Sequence, residues 1–242
     1  MQFFIFVLFI CFLVFLFCLY FLVNDDFVLL RRDVSTERIF NIAFLSALAS
    51  LFGARIFFAF LNQDAKLLSP LVFLAFPYFP GLSLLGGLLG GMAAFFALTR
   101  KDKIPVARLF DFFSISFLCP IFLGYLGYFL LSKSKFFAFW PMSLIIIYLV
   151  LFIAFIKYLL PNLLNGRFKE GSIGLIFLIS FSVISLVENF VGRFGGKIYF
   201  APHHNGAGFT FEDLILLVIL LASSAFLINH EKLMSKIGKI RK

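Results

Sequence analysis

Polar residues in this chain come in short clusters, and the apolar runs between them show neither a helical stripe nor strand-like alternation. Most of these runs approach the ~20 residues that an α-helix needs to cross the hydrocarbon core of a bilayer. The pattern predicts an all-α integral membrane protein with seven transmembrane helices, at residues 3–23, 39–62, 82–98, 106–131, 142–164, 171–191 and 211–229. One run resists this reading. "LLSPLVFLAFPYFP" at 67–80 contains Pro70, Pro77 and Pro80, each lacking an N–H for a helical hydrogen bond, so a proline-broken interfacial arm is predicted between the second and third spans. The longest non-apolar stretch, "GRFGGKIYFAPHHNGAG" at 192–208, is only a loop, so residues 1–242 read as a single polytopic membrane domain.

The first run, "MQFFIFVLFICFLVFLFCLYFLV", has no basic residues ahead of it and no small-residue cleavage site after it, and it is too long for a signal-peptide core. It is expected to be a retained span. Orientation follows from the basic residues of the short loops, which mark the cytoplasmic side. Placing the C terminus inside collects Arg31, Arg32 and Arg38, then Arg100, Lys101, Lys103 and Arg108, then Lys157, Arg167 and Lys169, and the tail "HEKLMSKIGKIRK". The other side keeps only Lys66, Lys133, Lys135, Arg193 and Lys197, so the expectation is N-out/C-in.

Composition sharpens this picture without changing it. Of the 242 residues, 62% are hydrophobic and 14% charged, and the 40 phenylalanines are spread over nearly every apolar run as lipid-facing and core filler. The net charge of +9 is accounted for by positive-inside loops and a basic tail facing anionic lipid, so no nucleic-acid partner is implied. Cys11, Cys18 and Cys119 form no C-x-x-C pair and have no histidine at ligand spacing, so neither a disulfide framework nor a metal site is expected, and no cofactor is called for.

Ionisable side chains inside spans are costly and so point to function. They are Arg55 in the second span, Asp111 in the fourth and Glu188 in the sixth. Topology places Arg55, Glu188 and the paired glycines of "GLSLLGGLLGGMAAFF" (81–96) toward the outer end, with "GYLGYF" (124–129) beside them, whereas Asp111 falls near the inner end, to pair with Arg108 or bind water. Each feature has two readings. Gly86 with Gly90, and Gly87 with Gly91, form small-xxx-small pairs that let helices pack closely, or they expose backbone N–H groups to a ligand. Arg55 and Glu188 form a structural ion pair, or Arg55 snorkels outward, or the two grip a substrate. Tyr125 and Tyr128 fit an aromatic belt, and His203 and His204 fit a solvated loop. The functional alternative is an outer-leaflet cavity in which an arginine forks onto a phospholipid phosphate and glycine lets the backbone come close.

The order of these pieces resembles the prolipoprotein diacylglyceryl transferase family, bacterial plasma-membrane enzymes that move diacylglyceryl from phosphatidylglycerol to the lipobox cysteine of a prolipoprotein. "LFGARIFFAFLN" at 51–62 is similar to the family's G-A-R segment, with Arg55 on its arginine. "GLSLLGGLLGGMAAFFALTRK" at 81–101 is similar to its H-G-G-L-I-G stretch and the basic loop after it. Gly124, Gly127 and Phe129 match its G-R-[IL]-G-N-F signature. "GSIGLIFLISFSVISLVENF" at 171–190 resembles its penultimate span, with Glu188 on the glutamate, and "GFTFEDLILLVILLASSAFLI" its last. The likeness runs from about residue 38 to 230. Other family positions are substituted: its histidine is Leu85 here, the signature arginine Tyr125, its asparagines Tyr128 and Leu131, its glutamate Lys133, and the arginine before Glu188 is Ile184. Span 1 shows no equivalent of the family's amino-terminal motif.

The reaction implied by the resemblance needs a base for the thiol proton and a cationic clamp for the phosphate that leaves. The resemblance therefore implies Glu188 and Arg55 as catalytic residues, a phospholipid site from Arg55, Gly86, Gly87, Gly124, Tyr125, Gly127, Tyr128 and Lys133, and His203 or His204 as a substitute base. The alternative is a family member without transfer chemistry that binds phospholipid or lipoprotein. A transporter fits less well, because polar residues are missing from the membrane midplane.

Overall fold

The computed structural model describes residues 2–24, 26–62, 81–131, 139–194 and 210–240, and every regular element among them is helical. In chain order these are α1 (Gln2–Asn24), α2 (Phe27–Arg31), α3 (Thr36–Asn62), α4 (Leu84–Lys101), α5 (Val106–Leu131), α6 (Phe139–Ala154), a π-helical turn (Phe155–Leu159), α7 (Leu160–Leu164), α8 (Ser172–Phe194) and α9 (Phe211–Ile240). Six stretches are long and apolar enough to cross a membrane: Ile5–Asn24, Thr36–Leu61, Val106–Gly127, Met142–Leu164, Ser172–Val191 and Phe211–His230. The run expected to form the third span is helical as well, but α4 has only 18 residues, dilutes its apolar content with Gly86, Gly87, Gly90 and Gly91, ends in Arg100 and Lys101, and is not among the six. The arm expected at 67–80 lies outside the described residues.

Local sequence sets the helix ends. Asp26 starts α2 by accepting the N–H groups of Val28 (2.9 Å) and Leu29 (3.0 Å) on Oδ1, as an N-cap aspartate does. Ser83 does the same for α4, its hydroxyl accepting from the Gly86 N–H at 3.2 Å. At the other end of α4, Lys103 turns left-handed (φ 55°), the Ile104 N–H returns to the Thr99 carbonyl, and Pro105 prevents continuation. The π-turn before α7 also has a visible cause. Pro161 has no N–H for the carbonyl four residues back and its ring crowds that carbonyl, which the wider turn accommodates.

Apolar surface gains nothing by leaving lipid for another helix, so close packing has to hold such a bundle together. The α3–α4 contact is the most extensive in the fold. A Cβ added to Gly90 would stand 2.8 Å from the Ala49 carbonyl oxygen, and one on Gly53 2.7 Å from that of Gly86, so the two backbones touch. The other main seams are α8–α9, α1–α5 and α5–α6, with α5 also against α8. Phenylalanine serves both sides as expected. Phe15, Phe95, Phe112, Phe177 and Phe181 fill the core, whereas Phe6, Phe17, Phe60 and Phe226 are about 60% exposed around the perimeter.

At one end of the bundle the structure corrects an expectation about Asp111. Arg108 pairs with Asp26 and not with Asp111, donating to Oδ2 from Nε at 3.0 Å and from Nη2 at 2.6 Å, with both side chains buried. Asp111, fully buried, instead accepts the N–H groups of Gly171 (2.6 Å) and Gly174 (2.8 Å), capping α8 from a neighbouring helix. The first turn of a helix has N–H groups without intrahelical partners and carries a partial positive charge, so a carboxylate is well placed there. A Cβ on Gly174 would run into the Phe110 ring, and this close approach lets the Asp111 side chain reach.

Candidate functional site

The opposite end gathers polar groups from several helices. Arg55, in the C-terminal half of α3, is 2% exposed and donates from Nη1 to the carbonyl of Gly81 at 2.9 Å. The Ser83 N–H donates to the Ala54 carbonyl, and Gly81 lies against the Phe58 ring, so the strand of chain entering α4 is tied down along α3. The Ser83 hydroxyl also lies 3.5 Å from Glu212 Oε1 in the first turn of α9, a long contact for a hydrogen bond. One residue further, Asp213 accepts from the Thr210 N–H (2.9 Å) and hydroxyl (2.8 Å), and on its other oxygen from Asn189 Nδ2 of α8 at 3.0 Å. Next to Asn189, Glu188 accepts on Oε2 from the hydroxyl of Tyr125 of α5 at 2.9 Å. The Tyr125 ring in turn stacks on that of Tyr148 of α6, with centroids 5.7 Å apart and planes at 14°.

Arg55, Gly86, Tyr125 and Glu188 thus lie at one end of the bundle and Asp111 at the other, the division drawn from topology. Their partners differ from those expected. Arg55 and Glu188 do not form an ion pair; Arg55 holds backbone, and Glu188 is held by a phenol. Gly86 and Gly87 face α3. A Cβ on Gly86 would meet the Gly53 carbonyl oxygen at 2.7 Å, and one on Gly87 the Ser50 hydroxyl at 3.2 Å. Their N–H groups are already engaged, by the hydroxyl and the carbonyl of Ser83, so helix packing is the role the geometry gives them. Gly127 likewise admits Val7 of α1, whereas Gly124 faces open space. Leu85 is buried in the apolar core. Lys133, His203 and His204 lie outside the described residues, and of Tyr128 only the backbone, in α5, is described.

Ser83, Asn189, Thr210, Asp213 and Tyr148 of this end were not anticipated. Ser83 and Thr210 carry a readable signal, a hydroxyl residue just ahead of an apolar run, and Thr210 is followed at the right spacing by Asp213, which makes a capping box with an aspartate in place of Glu or Gln. Asn189 is adjacent to Glu188. Tyr148 carries no signal, being one aromatic among the apolar residues of "WPMSLIIIYLVLFIA".

Chemically, this end offers a carboxyl group on α8 oriented by a hydroxyl donor, and a guanidinium on α3 held by the Gly81 carbonyl. Among the described residues no cluster of His, Cys, Asp or Glu could hold a metal ion. Fold and site together define a multi-pass, all-helical membrane protein with the candidate site at one end of the bundle. The sequence model of the prolipoprotein diacylglyceryl transferases matches residues 2–192, and the chain belongs to that family, which is a transferase family of lipoprotein biosynthesis. The match takes in α1, although its sequence shows no equivalent of the family's amino-terminal motif, and stops before α9. No curated protein matches the chain.

Proposed function

We propose that this protein is a phosphatidylglycerol–prolipoprotein diacylglyceryl transferase of the bacterial plasma membrane. It spans the membrane seven times with α4 as a short third crossing, N-out/C-in, and the end bearing Glu188 faces outward. In the reaction the lipobox thiol loses its proton, its sulfur attacks the glyceryl carbon bearing the phosphoester, and a new C–S bond forms as the C–O bond breaks. Glycerol phosphate leaves with the electron pair. Glu188, oriented by Tyr125, takes the thiol proton. Arg55 and Lys133 clamp the phosphate, and Tyr128, His203 and His204 are further donors to the headgroup.

The Tyr125–Glu188 hydrogen bond carries this reading within a chain of the family, because it joins the residue at the signature-arginine position to the glutamate that the chain shares with the family pattern. A phenol in place of the signature arginine still orients the carboxyl group. The test supplies purified protein with phosphatidylglycerol and a lipobox peptide, and mass spectrometry looks for the diacylglyceryl thioether and free glycerol phosphate. Glu188→Gln should lower turnover by about 10²–10⁴-fold, the usual share of a general base, while helicity and melting stay near wild type.

One observation favours a second reading. Leu85, at the family's histidine position, is packed into the apolar core and offers no donor of its own. On that reading the protein binds phospholipid or lipoprotein without transferring anything. Phosphatidylglycerol retained through purification, with no thioether formed where an authentic transferase works, would establish the binding reading and refute the first.

A further inference from the structure

Tyr148 lies outside the family-aligned motifs and is fully buried among α6, α5 and α8. Among the described residues its hydroxyl makes no hydrogen bond of good geometry, although Ser185 lies near it and Glu188 is within electrostatic reach. A buried hydroxyl left unpaired in an apolar core is costly, and a phenylalanine would fill the same space without that cost. The ring, by contrast, has a defined job. Tyr125 sits near the end of α5, partly buried, next to Gly124, beside which lies open space. The flat face of Tyr148 bounds it, stacked at 14°, and from that position the Tyr125 hydroxyl reaches Glu188 Oε2.

We infer that Tyr148 is a positioning residue: by stacking on Tyr125 it holds that hydroxyl on the Glu188 carboxyl group. The inference deepens the transferase site and rests on that reading for its effect on turnover, but the positioning itself has a readout independent of turnover.

Infrared spectroscopy of the purified protein in lipid gives the carboxyl band of Glu188, assigned as the band missing from Glu188→Gln. Tyr125→Phe removes the hydrogen bond and sets the shifted position. Tyr148→Leu should move the band to that same position, and Tyr148→Phe, which keeps the stack, should leave it as in wild type. In the double variant Tyr125→Phe/Tyr148→Leu the band should move no further. Tyr148→Met, with its adaptable side chain, serves should the leucine variant misfold. A folded Tyr148→Leu or Tyr148→Met protein with a wild-type band overturns the inference, as does a Tyr125→Phe band that does not shift. An equal shift in Tyr148→Phe would assign the role to the hydroxyl and overturn the stacking account. Where wild type transfers lipid, Tyr148→Leu should lose no more than Tyr125→Phe, up to the 10²–10³-fold typical of one oriented donor, and Tyr148→Phe should stay within a few fold. A wild type without turnover defeats the transferase reading and leaves the band result standing.

Discussion

Asp26→Ala should destabilise the bundle severely, and the structure says by how much and why. The carboxylate makes four hydrogen bonds: Val28 N and Leu29 N on one oxygen, Arg108 Nε and Nη2 on the other. Its side chain is 1% exposed and that of Arg108 6%, so solvent screens the pair little. Losing the cap of α2 costs about 1 kcal/mol. Leaving the guanidinium buried without its counter-charge costs about 3–5 kcal/mol more. Asp26→Asn keeps the cap and forfeits only the charge, so it should fall between wild type and alanine. Arg108→Met should resemble Asp26→Ala less the cap. Because the penalty in each single variant comes from the charge left behind, combining Asp26→Asn with Arg108→Met should restore stability above either alone. The assay is denaturation in detergent followed by helical circular dichroism, read as a double-mutant cycle. Two single effects that simply add in the double variant would refute the argument, since they would mean that neither residue's cost depends on the other.

Gly90→Leu should force α3 and α4 apart, because even its Cβ would crowd the Ala49 carbonyl; overpacking of this kind costs about 1–3 kcal/mol, whereas Ala93→Leu on the exposed face of the same helix should melt like wild type. Asp111→Ala leaves the Gly171 and Gly174 N–H groups without their acceptor, a loss of about 1–2 kcal/mol by comparison with other helix caps. Amide exchange at those two positions should accelerate ahead of the rest of α8, and unchanged protection there would contradict the capping assignment.

Much of the fold was legible because one force shapes the pattern: a backbone in lipid must satisfy its own hydrogen bonds, and apolar runs of about 20 residues do so as helices. The same reasoning placed Arg55 and Glu188 at a common end, since depth in a span follows from residue number once the order of spans is known. Partners were harder to read. Whether Glu188 meets Arg55 or Tyr125 depends on the rotation of α5 and α8 about their own axes, and evenly apolar helices give no stripe from which to read that rotation. Asp111 was misread for a related reason. Its neighbour in sequence is Arg108, but its partners are the first N–H groups of α8, brought close by the seam at Gly174. The α4 glycines were legible as a spacing of four, which marks a packing face, while the identity of the opposing helix was not. Tyr148 could not have been found at all, since its role comes from a ring–ring contact between runs of the same composition.

The substitutions at this end bear on how the chemistry is shared out. A tyrosine hydroxyl can orient a carboxyl group as an arginine can, but it carries no charge, so on the transferase reading Tyr125 orients Glu188 without neutralising a phosphate. On the transferase reading the phosphate clamp then falls to Arg55 and Lys133. Arg55 is already tied to the Gly81 carbonyl, and through it to the chain entering α4. A guanidinium presents a planar fork that matches a phosphate in bidentate fashion, whereas a lysine ammonium meets it only as a point charge. Arg55→Lys therefore discriminates where alanine does not. If Arg55 is only a strut for the α3–α4 seam, a lysine that still reaches Gly81 preserves stability and whatever activity wild type has. If it also grips the headgroup, stability is kept while turnover on phosphatidylglycerol falls, and that separation of the two readouts is what a purely structural arginine cannot produce.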